Sequence, residues 1–516
     1  MKTKIIAMLL VVCMLVLALA SCNGSGEQKE TNEPQLTPEA DPVDKWEGVS
    51  FDGETIIVNL STYQPNAAIK VGATNSIKYI AGPDEYTTDA VQNAVFDRNK
   101  NVAEKLGLYV TYQECDQYSN DPENTLVVIE NFVLADLEDS PDIVSTMSYG
   151  VVRAGVKGDL YNALTDKHEN YLDLSSIGWY SDYMYDNTLD NTKVFMLAGD
   201  YFIDVLRYSF ATLVNLDMYE EVFASEGGTE SLFEIIEAGE WTYDEFARCV
   251  QMAYVDAGTV GKMDDGDTYG AINDCWWFTR SLLATSGLDV FETTADGKLQ
   301  YVEDISDLHN FTDAVMKLAS TQGFNYEGQD GSNSYDHMTI FVQGKSLFAT
   351  DSLVLSMEGA MLQNMDEKTG LIPFPKYDKE QSYGALVSDN ANVGGILYSS
   401  DKFTECSAFL QMSTELSNNG QGSLIYEYYD VTLKYKLSND PKQVAMLEFI
   451  RDGICSPKSM IYDDYNRRQV GMKMVATHID NAILKGVNTF ASDWEAQYSA
   501  VQSALEAAIL TYGQQQ

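Results

Sequence analysis

Residues 5–20 (IIAMLLVVCMLVLALA) form an unbroken apolar run of 16 behind Lys2 and Lys4. A spanning helix needs about 20 apolar residues. The run therefore reads as the apolar region of a secretory signal. Residues 22–50 are rich in Gly, Ser, Glu, Pro, Asn and Thr and read as a flexible tether. Apolar positions then become periodic. Glu54–Leu60 is a β-branched run that predicts a buried strand. Val91, Ala94, Val95, Val102 and Leu106 share one face of a helix over 88–106, with Gly107 as its stop. A strand over 108–112, a helix over 123–138 and a strand over 141–145 follow. This alternation predicts a parallel sheet with crossover helices.

Two capping boxes mark later helix starts: Thr242 with Glu245, where Trp241 and Phe246 sit at staple positions, and Ser492 with Glu495. Behind the second, Trp494, Tyr498, Val501, Leu505 and Ala508 make the stripe of a final amphipathic helix. Segments 257–270 and 325–337 read as loops. There is no internal repeat and no second apolar run of 18.

A formal charge of −45 removes nucleic acid from the partners, because binding it needs a basic footprint. Of seven Cys, Cys13 lies in the signal; Cys115, Cys249, Cys275, Cys406 and Cys455 lie in the body without C-x-x-C spacing, so neither a disulfide framework nor a zinc site is expected. Cys249 and Cys406 fall on apolar helix faces. Four scattered His give no paired-ligand pattern. Asp264, Asp265 and Asp267 lack calcium-loop spacing and read as a surface turn. No metal or cofactor is expected. No nucleophile elbow, P-loop or dinucleotide fingerprint occurs, so no catalytic residue is assigned.

Leu19-Ala20-Ser21-Cys22 resembles a bacterial lipobox, which implies cleavage before Cys22, lipidation of Cys22, and a protein held by acyl chains on the outer face of the cell membrane. Several further segments resemble the family 1 extracellular solute-binding proteins of ABC importers. They are Trp241-Thr-Tyr-Asp-Glu-Phe246, Phe341-Val-Gln-Gly-Lys-Ser-Leu-Phe-Ala-Thr350, Pro141-Asp-Ile143, Gly158-Asp-Leu-Tyr-Asn-Ala-Leu-Thr165, Val214-Asn-Leu-Asp-Met-Tyr219 and Leu371-Ile-Pro-Phe-Pro-Lys-Tyr377. Leu347-Phe348 departs from the small-then-Met ending of that family. The matches keep one order over about 54–425. The resemblance implies an α/β, bilobal, periplasmic-binding-protein-like fold of type II. Its first lobe would hold 54–200 plus 376–425 and its second 201–375 plus 426–516, joined by a hinge. It also implies capture of a small solute, most often a mono- or oligosaccharide, and delivery to an ABC permease, with no chemistry on the ligand. The alternatives are a surface glycoside hydrolase and a non-transport ligand sensor.

In such an architecture the ligand lies at loops following the carboxyl ends of strands. Sugars need aromatic rings to stack on and polar partners for their hydroxyls. The candidates are Tyr63 and Gln64 in the first such loop, Tyr149 after the 141–145 strand, Arg207 beside Tyr208, Trp276, Trp277, and Asn392 near a Gly394-Gly395 turn. Adjacent Trp276 and Trp277 cannot face one way, so one of them belongs to the core. Trp241 and Trp494 read as packing residues.

Overall fold

Strand β1 (Thr55–Ser61) is buried along all but its first residue, as a strand covered on both faces must be. It lies between β2 (Tyr109–Cys115) and β3 (Ile143–Met147), parallel to both, with Val58 opposite Tyr112 on one side and Ile143 on the other. Helix α1 (Ala90–Leu106) makes the first crossover. The Asp89 carboxylate accepts the Val91 and Gln92 N–H groups at its start, and Gly107 ends it at φ 61°, a conformation that strains any side chain. All five residues of the expected stripe are buried. Helix α2 (Pro122–Ala135) makes the second crossover.

The computed structural model describes residues 45–63, 76–119, 121–135, 139–189, 192–261, 263–264, 266–295, 297–327, 336–358, 362, 365–433, 441–455 and 458–514. The signal, Cys22, most of the tether and Gln64 lie outside the described residues. The chain divides into two compact units, Met1–Gly48 and Val49–Gln516. Of the first, only a turn at 45–48 is described; the second carries everything below.

Helix α3 (Ser148–Lys157) follows β3 directly. Next come β4 (Phe210–Asn215), α4 (Tyr243–Ala253), β5 (Tyr269–Asp274), α5 (Cys275–Thr285), β6 (Phe324–Glu327), β7 (Ser346–Ser352), β8 (Thr369–Ile372) and β9 (Asn392–Ile396). The first sheet has the order β9-β3-β1-β2 and the second β8-β4-β7-β5-β6. Strand β9 is antiparallel to β3, with Asn392 opposite Met147. Helices α6 (Lys458–Val470), α7 (Val475–Lys485) and α8 (Phe490–Gly513) end the chain. Among the described residues, no helix is long and apolar enough to cross a membrane.

The chain passes between the sheets along adjacent paths. Leu197 bridges Gly394 on β9, residues 198–209 lead into β4, and 385–391 return to β9 with Val387 bridging Ser209. Asp204 ties the paths together. It accepts the Asn392 N–H at 3.1 Å and the Ser76 hydroxyl at 2.5 Å, and pairs with the buried Arg207.

Four sequence expectations need correction. Thr242 is the N-cap of α4, but its side chain caps nothing, and the Glu245 carboxylate, which would complete the box, is held by Arg248 at 2.7 and 2.9 Å. The packing half of that motif does form, with Trp241 edge-on to Phe246 at 5.7 Å. Ser492 lies inside α8, which starts after Thr489, and its hydroxyl donates back to the Thr489 carbonyl. Residues 325–327 of the expected loop 325–337 belong to strand β6. Gly394 and Gly395 form no turn; they are central in β9, where glycine lets Phe202 and Leu160 pack onto the sheet. A Cβ on Gly394 would sit 2.1–2.8 Å from Phe202 ring atoms. Gly394→Ala should therefore cost about 1–3 kcal/mol of stability, read as a lower urea midpoint.

Candidate functional site

Tyr63 follows the carboxyl end of β1. Ser148 and Tyr149 follow that of β3, and Trp276 and Trp277 follow that of β5. Asp389 and Asn390 immediately precede antiparallel β9, which places them at the same end of the first sheet as Ser148: the Ser148 hydroxyl donates to the Asp389 carbonyl at 3.0 Å. Strand ends of this kind are where open α/β sheets bind ligands.

Asp389 is the centre of the group. Its Oδ1 accepts from the Ser388 hydroxyl at 3.2 Å and the Asn390 amide at 3.0 Å. Oδ2 has no protein donor among the described residues and is not fully sealed from solvent. Burial pushes its carboxyl up to about 6; Asp464 adds to the rise, while the Ser388 hydrogen bond and Arg280 oppose it. The Asp389 charge reaches Tyr63 and Tyr149, whose hydroxyls are raised first by burial and then by that carboxylate.

Arg280 forms one wall. It is fully buried on α5, and its guanidinium lies 3.3 Å from the Trp276 ring centroid. Nη1 donates to the Trp276 carbonyl at 2.7 Å and to Asp480 on α7 at 3.3 Å. Trp276 itself is 44 % exposed. Trp277 turns the other way and stacks on Phe210 at 4.8 Å, as adjacent helical residues must. Arg153 of α3 also borders the group; it donates to the Tyr149 carbonyl at 3.4 Å and to Asp464 of α6 at 2.8 Å. Asp464 is also held by Arg468 at 2.9 Å through both oxygens.

Tyr63 and Tyr149 thus lie within reach of the Asp389 charge, and Trp276 joins the group through Arg280. Arg207 and Asn392 do not join them: Arg207 is a sealed cation on Asp204 with Tyr79 under its guanidinium at 4.5 Å, and Asn392 is 7 % exposed in the crossing. Asp389, Arg280, Arg153 and Asp464 were not singled out from sequence. Only the Ser388-Asp389-Asn390 run before β9 marked the first, and nothing local marked the others.

Among the described residues one Asp389 oxygen has no protein donor, whereas both Asp464 oxygens are engaged by Arg153 and Arg468. Cys249, Cys406 and Cys455 have thiols raised first by burial. Among the described residues, no group of His, Cys, Asp and Glu is placed to hold a metal. A separate groove of about 360 Å³ lies between α4 and Ser306–Ala319, lined by Tyr243, Lys317 and Tyr377 among others. Its Lys317 is paired with Asp244 at 2.8 Å.

Comparison with known proteins locates the fold. No protein-family model and no curated protein matches the chain. Among solved structures, an ABC substrate-binding protein from Listeria monocytogenes in complex with cycloalternan is similar at TM-score 0.50 and 13 % identity, over 90 % of this chain and all of that one. A family 1 extracellular solute-binding protein from Bifidobacterium longum subsp. infantis is similar at TM-score 0.48 and 14 % identity, over 89 % of this chain and all of that one. The chain has the α/β fold of a substrate-binding protein.

Proposed function

We propose that this protein is the substrate-binding component of an ABC importer, anchored through Cys22 to the outer face of the cell membrane, and that it captures a neutral mono- or oligosaccharide. The observation that carries the reading is Asp389: a carboxylate with one oxygen lacking a protein donor, its charge felt by Tyr63 and Tyr149 from separate strand ends and by Arg280, which lies against the Trp276 ring. A pyranose needs an aromatic face for its C–H groups and acceptors for its hydroxyls. The Listeria protein of the same fold carries a cyclic oligosaccharide, which supports the choice of ligand class. Lobes 54–200 with 376–425 and 201–375 with 426–516 would close on the ligand about the crossings near Asp204 and Asp389, and the closed form would meet the permease.

The test is a thermal-shift screen of residues 51–516 against cycloalternan, maltotriose, cellotriose and monosaccharides, with amino acids, short peptides and polyamines as controls. Ligand at 100 times its Kd should add about 2.7 kcal/mol, a visible rise in midpoint. A response confined to the controls removes carbohydrate; no response to anything removes the receptor reading.

A further inference from the structure

The contact between Arg280 and Trp276 is unusual for a buried arginine. The guanidinium lies 3.3 Å from the ring centroid, whereas its anchors on α7 are long, 3.3 Å to Asp480 and 3.4 Å to Thr477. Its Nε is sealed and has no acceptor. A buried cation that forgoes a hydrogen bond is not placed for its own solvation. What its position does satisfy is the indole: the planar fork covers the buried face and bonds the same residue's carbonyl at 2.7 Å, while the other side of a residue 44 % exposed stays open.

We propose that Arg280 is the positioning residue of the ligand site, fixing the Trp276 indole from behind as a stacking wall and tying that wall to α7. This rests on the receptor reading above. A lysine could not replace it, because an ammonium is a point charge without a face to stack. The same cation favours ionised Asp389, so one side chain sets both the stacking wall and the acceptor. Asp389 is faced by Tyr63 after β1, Tyr149 on α3, Tyr183, Asp464 on α6 and Arg280 on α5, with Ser388 and Asn390 from its own segment. Among these Ser388, Arg280 and Asn390 hold the Asp389 carboxyl down, and Arg280 is the one that does so by charge, so its loss would raise the pH at which Asp389 takes up a proton.

The experiment uses protein labelled with 5-fluorotryptophan, in which the ¹⁹F line of Trp276 is the one missing from Trp276→Phe. In the ligand-free protein that line should shift or broaden in Arg280→Met, Arg280→Lys and Asp480→Asn. Affinity for whichever of cycloalternan, maltotriose or cellotriose shifts the parent should fall at least tenfold in both Arg280 variants. The pH of half-maximal affinity loss should move upward in Arg280→Met. Asp480→Asn keeps Arg280 and loosens its anchor, so it carries the test if Arg280→Met does not fold. A Trp276 line unchanged in Arg280→Lys and Asp480→Asn overturns the proposal, as does parent-like affinity in a folded Arg280 variant. If the parent binds none of the sugars, the receptor reading for carbohydrate fails, and the ligand-free ¹⁹F line still decides the role of Arg280.

Discussion

Asp389→Asn should melt at a higher temperature than the parent without ligand and, on the receptor reading proposed above, bind its ligand ten- to a hundredfold more weakly. Both effects come from one charge. With a folded-state pKa of about 6 against about 3.9 in the unfolded chain, the folded protein holds this proton more tightly. The contribution to stability is therefore complete below about pH 4 and is lost as pH rises through about 6. At neutral pH the ionised group costs on the order of 2–3 kcal/mol, an upper figure because Oδ2 is open. The amide carries no such cost and can still accept from Ser388 at Oδ1. The ligand term has the opposite sign. A hydroxyl donating to a carboxylate is worth roughly 1.5–3 kcal/mol, about ten- to a hundredfold in Kd, and that is lost on protonation or amidation. Parent affinity should accordingly fall as pH drops through about 6, while Asp389→Asn stays weak and flat. Asp159 and Asp200 are also pushed up to about 6 by burial, so the stability effect must be read as the difference between parent and variant. The measurement is calorimetric melting and titration from pH 5 to 7.5. A variant that melts lower, or binds as the parent does, removes Asp389 from the site.

The contrast between what was legible and what was not is physical. The face of α1 could be read because Val91, Ala94, Val95, Val102 and Leu106 are neighbours along one helix and face one direction. The β1 strand was legible because burial on both sides forces a continuous apolar run. Tyr63, Tyr149 and Trp276 were reachable because each follows a strand, and a strand end is a local feature. Asp389 was not. It is one of 78 acidic residues, and what distinguishes it is company drawn from positions 63, 149, 280 and 464. The Glu245 half of the Thr242 box failed because a competing partner, Arg248, lies one turn along the same helix and holds Glu245 with two bonds. The Gly394-Gly395 pair was misread as a turn because glycine serves two purposes. Here it admits the Phe202 ring and the Leu160 side chain against a flat strand, and sequence alone does not separate that from a reversal.

The second large effect lies in the ion pair beside Tyr149. Arg153 is fully buried and holds Asp464 at 2.8 Å, Glu123 at 3.0 Å and the Tyr149 carbonyl at 3.4 Å. It joins α3 to α6 beside the site. Removing one partner of a buried pair leaves the other charge uncompensated, and typical costs are about 3–5 kcal/mol. Arg153→Met should pay that penalty, since Asp464 keeps only Arg468, whose side chain is 47 % exposed and screened by water. Glu123 is 45 % exposed and adds little once released. The double change Arg153→Met with Asp464→Leu removes both charges and should recover much of the loss, because well-packed apolar residues often match a buried ion pair. The difference between the double variant and the sum of the singles, measured by urea unfolding, gives the coupling directly. Coupling below about 0.5 kcal/mol would mean that the pair does not tie α3 to α6. Strong coupling, together with sugar affinity that is not restored in the double variant, would mean that Tyr149 depends on Arg153 for its place as well as for the stability of the helix it stands on.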